Sequence, residues 1–188
     1  MRRCKWVAAV LAFAPLVAGP SADYLSARHK FHLIQSDTLR PGTKVLLSAG
    51  ELNAWVAGEI PQVAPQGVRN PRLELAHSAA TGSALVDFVK LRQAQGKPPN
   101  WFLRKLLEGE RPVEVRARIQ SQSGTATVFV ERVEISGIPI EGRALDFLIR
   151  KYLAAYYPEA KVGEPFALKH RIDRLEVAPA AVGVIIGR

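Results

Sequence analysis

One amphipathic segment, residues 141–157, most constrains this chain, because nearly every other region favours strands. Its apolar residues recur at the spacing of one helical face, and Pro158 follows directly. The apolar set is Leu145, Leu148, Ile149, Tyr152, Leu153 and Tyr156. Asp146, Arg150 and Lys151 fall on the opposite face. We therefore predict a long helix against which a sheet folds.

Alternating apolar and polar residues predict strands through most of the remaining chain. The predicted strands are 43–47, 72–77, 83–92, 112–121, 125–135, 166–169, 172–177 and 181–186. Turns at 79–82 and 122–124 join them into hairpins, and strands joined by tight turns are antiparallel. The sequence predicts an α+β domain over 23–188, a strongly curved antiparallel sheet wrapped around the long helix.

Shorter helices are predicted between these strands. Ser48 and Glu51 form a capping box that begins an amphipathic helix, which Pro61 is expected to end. Residues 23–35 favour a helix that runs into an extended segment. A further short helix is predicted over 101–107, after a polar, proline-rich loop.

Two predicted strands carry apolar residues on both faces, which indicates cover on both faces. In 83–92 one face carries Leu85, Val89 and Leu91, and the other carries Val86 and Phe88. In 125–135 the consecutive residues Val128, Phe129 and Val130 are all apolar. Asp87 interrupts the first run. If buried, it needs a partner such as Arg116 or Arg118, and a structural ion pair is favoured over a catalytic role.

The first 22 residues have the pattern of an export signal. Arg2, Arg3 and Lys5 form a positive start, and residues 6–18 are apolar but too short for a comfortable membrane span. Cleavage is expected after Ala18 or Ala22, with an uncleaved N-terminal anchor as the alternative. The expected location is outside the cytoplasm, in the periplasm or cell envelope.

The charge balance is basic, 26 Lys and Arg against 17 Asp and Glu, but the basic residues are scattered. This distribution suits an anionic membrane surface and lacks the concentrated patch of a nucleic-acid-binding protein. The lone cysteine, Cys4, allows no internal disulfide. The four histidines lack a third ligand at metal-binding spacing, so no metal, cofactor or catalytic constellation is predicted.

Aromatic residues on the predicted apolar faces are the candidate ligand-binding set. They are Trp55, Phe88, Trp101, Phe102, Phe129, Tyr152 and Tyr156. Ordinary core packing explains such residues, and the alternative is an apolar cavity between the sheet and the helices.

The segment LSAGELNAWV (47–56) resembles the first-helix motif of exported bacterial TULIP-like proteins, tubular lipid-binding proteins, in particular the LmeA-like branch. Ser48, Glu51, Leu52 and Asn53 carry the match. The resemblance implies a curved sheet around a helix, an apolar cavity and binding of phospholipid or acyl chains outside the cytoplasm. That family has no catalytic residues to carry over.

We therefore expect an exported, non-enzymatic protein that binds a lipid or other apolar small molecule in a cavity between sheet and helix. The alternative is a structural or interaction module of the envelope without a ligand cavity. In that case its basic faces meet anionic lipid or a partner protein.

Overall fold

A computed structural model describes residues 19–63, 67–94, 109–148 and 162–188, and these form an α+β structure. The helices are α1 (Ala22–Gln35), α2 (Ala49–Val63), α3 (Phe88–Ala94) and α4 (Gly142–Leu148). The strands are β1 (Lys44–Ser48), β2 (Val68–Ala76), β3 (Ala79–Val86), β4 (Arg111–Gln122), β5 (Thr125–Ile135), β6 (Ile138–Pro139), β7 (Phe166–Ala167), β8 (Ile172–Ala178) and β9 (Ala181–Ile186).

The strands form two sheets in which every pairing is antiparallel. One has the order β1-β9-β8, and the other runs β2-β3-β4-β5-β6, with β7 also paired to β5. Backbone bonds join β8 to the hairpin ends of the larger sheet, from the Ser78 amide to the Val177 carbonyl (3.0 Å) and from Gly124 to Asp173 (2.8 Å). The α+β class is confirmed, and the larger sheet is open rather than closed.

The N-terminal helix α1 covers the whole of Ala22–Gln35, so the extended ending predicted for this segment is wrong. The Ser21 hydroxyl caps it by accepting a hydrogen bond from the Tyr24 amide (3.2 Å). Ala27 and Ile34 are buried against α2 and the smaller sheet, and this packing favours helix to the last turn.

Helix α2 begins with the predicted capping box. The Glu51 amide donates to Ser48 Oγ (3.1 Å), and the Ser48 amide donates to Glu51 Oε2 (2.8 Å). The predicted end at Pro61 is wrong, because the helix continues to Val63. A proline this close to the helix end removes only one hydrogen-bond donor, its own backbone N–H, so the last residues still complete the helical turn.

Glu51 is also the centre of a buried polar cluster that joins α1 to α2. Its carboxylate, 7% exposed, accepts hydrogen bonds from Lys30 Nζ (2.6 and 2.8 Å) and Ser26 Oγ (2.6 Å). Burial acts to raise the pKa of this carboxyl. The hydrogen bonds from Lys30, Ser26 and the Ser48 amide outweigh it and lower the pKa to about 2.

The β2–β3 hairpin turns two residues earlier than predicted. His77 and Ser78 form the turn, so Ala79–Gly82 belong to β3, and the strand predicted over 83–92 ends at Val86. Phe88, Val89 and Leu91 lie in α3, so the two-sided strand is an incorrect interpretation of this run. The apolar residues fit helical spacing as well as strand spacing.

Asp87 is buried, and its partners differ from the arginines that the sequence suggested. Its Oδ1 accepts the Lys90 amide (3.0 Å) at the start of α3, and its Oδ2 lies 3.4 Å from Lys90 Nζ. Arg116 and Arg118 pair with Glu131 instead. Asp87 is therefore a helix cap, which agrees with the structural role and corrects the predicted ion pair.

The β4–β5 hairpin, predicted from its alternation, is confirmed at Arg111–Gln122 and Thr125–Ile135. Its turn residues Ser123 and Gly124 both have positive φ, as a tight two-residue hairpin turn requires. The pairing shifts between Arg116–Arg132 and Ala117–Val130, which leaves Glu131 as the extra residue of a bulge.

The long helix predicted over 141–157 is seen only in its first part, as α4, and residues 149–157 lie outside the described residues. The same holds for the helix predicted over 101–107 and for the signal segment up to residue 18. Among the helices that the structure describes, none has the length and apolar character needed to cross a membrane.

Glu51 makes the free energy of unfolding depend on pH in the acid range. Its folded pKa lies below the unfolded value of about 4.3, so its contribution is complete above about pH 5 and is lost as the pH falls toward 2. The shift corresponds to about 3 kcal/mol. Glu51→Gln should lower the urea-unfolding free energy at pH 7 by about 2–3 kcal/mol and flatten its fall between pH 5 and 3.

The exposed Glu74 supplies the matched control, because Glu74→Gln should leave both the stability and its pH dependence near wild type. Equal acid sensitivity in Glu51→Gln and wild type would show that the carboxylate does not carry this dependence.

The bulge predicts that β5 tolerates the loss of its extra residue. Deleting Glu131 lets Arg132 follow Val130 directly, so the strand alternates without a bulge, and Val133 and Ile135 stay on the same side of the sheet as Val130. The variant should therefore still unfold cooperatively in a thermal melt. Glu131→Ala keeps the residue count and removes only exposed ion pairs, so it should cost less than about 1 kcal/mol. A deletion variant that loses cooperative unfolding would contradict the assignment of Glu131 as the extra residue.

Candidate functional site

The larger sheet has one continuous apolar face, which follows from its pairing register because directly paired residues share a face. We call it the apolar face. Its members are Val68, Leu73 and Leu75 on β2, Ala80, Gly82, Ala84 and Val86 on β3, Val113, Val115, Ala117 and Ile119 on β4, and Ala126, Val128, Val130, Val133 and Ile135 on β5. The opposite face carries the charged residues of these strands except Arg111, which pairs with Val86 at the end of the apolar face.

Two core clusters cover parts of the apolar face, and each contains one predicted aromatic. Trp55 on α2 packs on the Phe31 ring, with ring centroids 4.6 Å apart, in the cluster that includes Leu73 and Leu75. Phe88 on α3 is 6% exposed, in a second cluster that contacts Val68, Ala84, Val113 and Ile135. Both side chains are thus core residues at the margins of the face.

The centre of the face is the row Leu73–Gly82–Val115–Val133. A Cβ atom built on Gly82 would meet no atom of the described residues within 4 Å. The other inward residues of β3 beside it, Ala80 and Ala84, are also small. The described part of the chain therefore leaves open space above the middle of an apolar surface.

Phe129 lies on the opposite face, which corrects its prediction as a cavity residue. It pairs with Arg118, and the guanidinium carbon of that side chain lies 4.6 Å from the centre of the Phe129 ring. Glu131 holds the same guanidinium at 3.1 Å. Phe129 is an apolar residue in a charged surface, where a cation–π contact covers its ring.

The structure therefore brings Trp55 and Phe88 to the margins of the apolar face, separates them into two clusters, and places Phe129 elsewhere. The other four predicted residues, Trp101, Phe102, Tyr152 and Tyr156, lie outside the described residues.

Asn53 docks α2 on the edge strand β2, a role that the sequence motif did not indicate. Its side-chain oxygen accepts the Leu73 amide (2.8 Å), and its Nδ2 donates to the carbonyls of Leu73 (2.7 Å) and Ala49 (2.9 Å). The amide thereby pairs the free edge of the sheet as a neighbouring strand would. A carboxamide among apolar residues inside a helix was the signal that a partner existed.

Exposed ion pairs lie on the charged face, among them Arg69–Glu110, Arg116–Glu131 and Arg132–Glu134. Cations and anions alternate on it rather than forming a patch of one sign. Across the described ranges no three His, Cys, Asp or Glu residues stand close enough to hold a metal ion.

Comparison with protein-family models, with curated proteins and with solved structures finds no match for this chain. The function is therefore argued from the residues described above.

The Asn53 contact predicts a large effect of a small substitution. Asn53→Asp keeps the acceptor for the Leu73 amide but sets a carboxylate against two carbonyl oxygens, so it should cost about 3 kcal/mol. Gln62→Glu, the same amide-to-acid change at an exposed site of α2, should cost well under that. Chemical denaturation of both variants measures the difference, and equal costs would contradict the docking role.

Proposed function

We propose that this chain is an exported, non-enzymatic protein that binds a lipid or another apolar ligand on the apolar face of the larger sheet. The observation that carries the proposal is the open space that the described residues leave over Gly82, at the centre of that face. Three half-buried residues surround it: Val115, Ala117 and Val130. Covering their remaining apolar surface with an apolar group is energetically favourable.

The margins of the face support the same proposal. Clusters built on α2 and α3 hold two sides of it in defined positions, and the Asn53 contact secures the β2 edge. A binding surface framed by packed helices keeps its shape when the ligand leaves, which lowers the entropy lost on binding.

The helix predicted over 141–157 is proposed as the remaining wall. Its first part, α4, starts three residues after β6, and β6 pairs with the end of β5 at Glu134 and Ile135. A continuation along the predicted apolar series would face the sheet, and the ligand would then lie between helix and strands, as the resemblance to TULIP-like proteins implies.

The location proposed is extracytoplasmic, on the strength of the positive start and apolar run in residues 1–18. The three residues 19–21 connect that run to α1, and the last of them is its cap. If the N-terminal segment is kept, it would hold α1 close to a membrane surface.

Filling the open space tests the proposal. Gly82→Phe places a ring over the centre of the apolar face without meeting any described atom at its Cβ, so the fold should survive. Affinity for a fluorescent fatty acid should fall about tenfold or more, the loss expected when roughly two buried methylene groups are displaced. Mass spectrometry of protein purified from an exporting host should show less co-purified lipid.

Thr81→Phe is the matched control. It adds the same ring to the neighbouring residue of the same strand on the charged face, and it should bind lipid like wild type. Wild-type protein without lipid and without fatty-acid affinity would overturn the proposal. That result would favour the alternative of an envelope interaction module.

A further inference from the structure

Arg111 is the one charged residue of β2–β5 that the pairing register places on the side of the apolar face. It pairs directly with Val86, which belongs to the buried cluster that contains Phe88 and Leu91. Directly paired residues share a face, so the Arg111 side chain extends from the end of the apolar face. All other charged residues of these four strands lie on the opposite side.

Arg111 is half-buried, and it has no ion pair or hydrogen bond among the residues that the structure describes. The adjacent carboxylate, Glu110, binds Arg69 instead (3.0 Å). The other two arginines of β4 have Glu131 as their partner. A guanidinium keeps its charge at every physiological pH, and partial burial has cost it some of its hydration. An anion that bound here would form charge-assisted hydrogen bonds with a cation that has no competing partner.

Strand β4 connects this cation to the open centre of the apolar face. The residues that follow Arg111 on the same side of β4 are all half-buried: Val113, Val115, Ala117 and Ile119. Val115 pairs with Gly82, over which the described residues leave open space. At a rise of about 3.3 Å per residue, the distance along β4 from Arg111 to Val115 is about 13 Å. One alkyl chain can therefore cover the centre while its head lies at Arg111.

We propose that the ligand is an anionic amphiphile, an alkyl chain with a carboxylate or phosphate head, and that Arg111 binds the head. This inference rests on the proposed function and names its class of ligand. The planar fork of an arginine can bond two oxygens of a carboxylate or phosphate at once. An uncharged head would form only weaker hydrogen bonds with the guanidinium, and a cationic head would be repelled.

Ligands with one alkyl chain and different heads test the inference. Full-length protein is titrated at about pH 8, where carboxylates are ionised, and at one fixed salt concentration. The ligands are dodecanoate, dodecyl phosphate, dodecanol and dodecyltrimethylammonium below their micelle concentrations, with free acetate and inorganic phosphate. Both anionic amphiphiles should bind about tenfold or more tightly than dodecanol, as one charge-assisted hydrogen bond implies. The ammonium should bind more weakly than dodecanol, and the free anions far more weakly than the amphiphiles.

Variants identify Arg111 as the source of this preference. Arg111→Gln should lower the affinity for dodecanoate to that for dodecanol and leave dodecanol binding unchanged, a result that misfolding would not give. Arg111→Lys keeps the charge without the fork and should retain part of the preference. Arg72→Gln is the matched control, because Arg72 is exposed on the charged face and also has no ion pair among the described residues. It removes the same charge and should keep the full preference.

The outcomes separate the two proposals. If no alkyl ligand binds, the proposed function fails, and this inference fails with it. If dodecanol binds as tightly as dodecanoate, or Arg111→Gln keeps the preference, the head-group site is refuted while binding of an apolar ligand stands. If inorganic phosphate binds as tightly as dodecyl phosphate, the site takes a small free anion and its link to the apolar face is refuted.

Discussion

The structure depends on keeping most apolar side chains of the larger sheet on one side. Side chains alternate along a strand, so an apolar pattern that changes parity would normally divide between both faces. Val128 and Val130 stand at even positions and Val133 and Ile135 at odd ones, and the extra residue Glu131 restores them to one face. The register shift between Arg69 and Arg72 does the same on β2, where Asn70 has a positive φ of 49°. Two bulges thus create the surface on which the proposed function depends.

Helix α2 holds this surface against the rest of the molecule through residues of a single short motif. Ser48 and Glu51 start the helix, the Glu51 carboxylate binds α1 through Lys30 and Ser26, and Asn53 bonds the β2 edge. Every polar member of the motif therefore has a structural partner. A motif of this kind specifies how a helix docks on a sheet, and the chemistry of any ligand must be argued from other residues.

The sequence predicted correctly those parts of the fold in which the local signals, such as periodicity, turn residues and capping residues, indicate the same element. Strict alternation from Val113 to Ile119 and the Ser123-Gly124 turn identified the β4–β5 hairpin, and the capping box identified α2. The segment from Leu85 to Leu91 was predicted wrongly because its apolar residues suit both periods, and Asp87 was interpreted as an interruption rather than as a cap. Phe129 was assigned to a cavity because the run Val128 to Val130 was interpreted as apolar on both faces of a strand covered on both sides. The docking role of Asn53 could be found only from the structure, since its partner Leu73 lies twenty residues away in the sequence.

The residues that the structure describes leave the centre of the apolar face open over Gly82. A core that served stability alone would place a large side chain where Gly82 stands, because filling space among half-buried valines gains contacts. The proposed apolar ligand explains the small residues, because its hydrocarbon part covers the valines. On this account the small residues of β3 are required by the occupant of the face rather than by the fold.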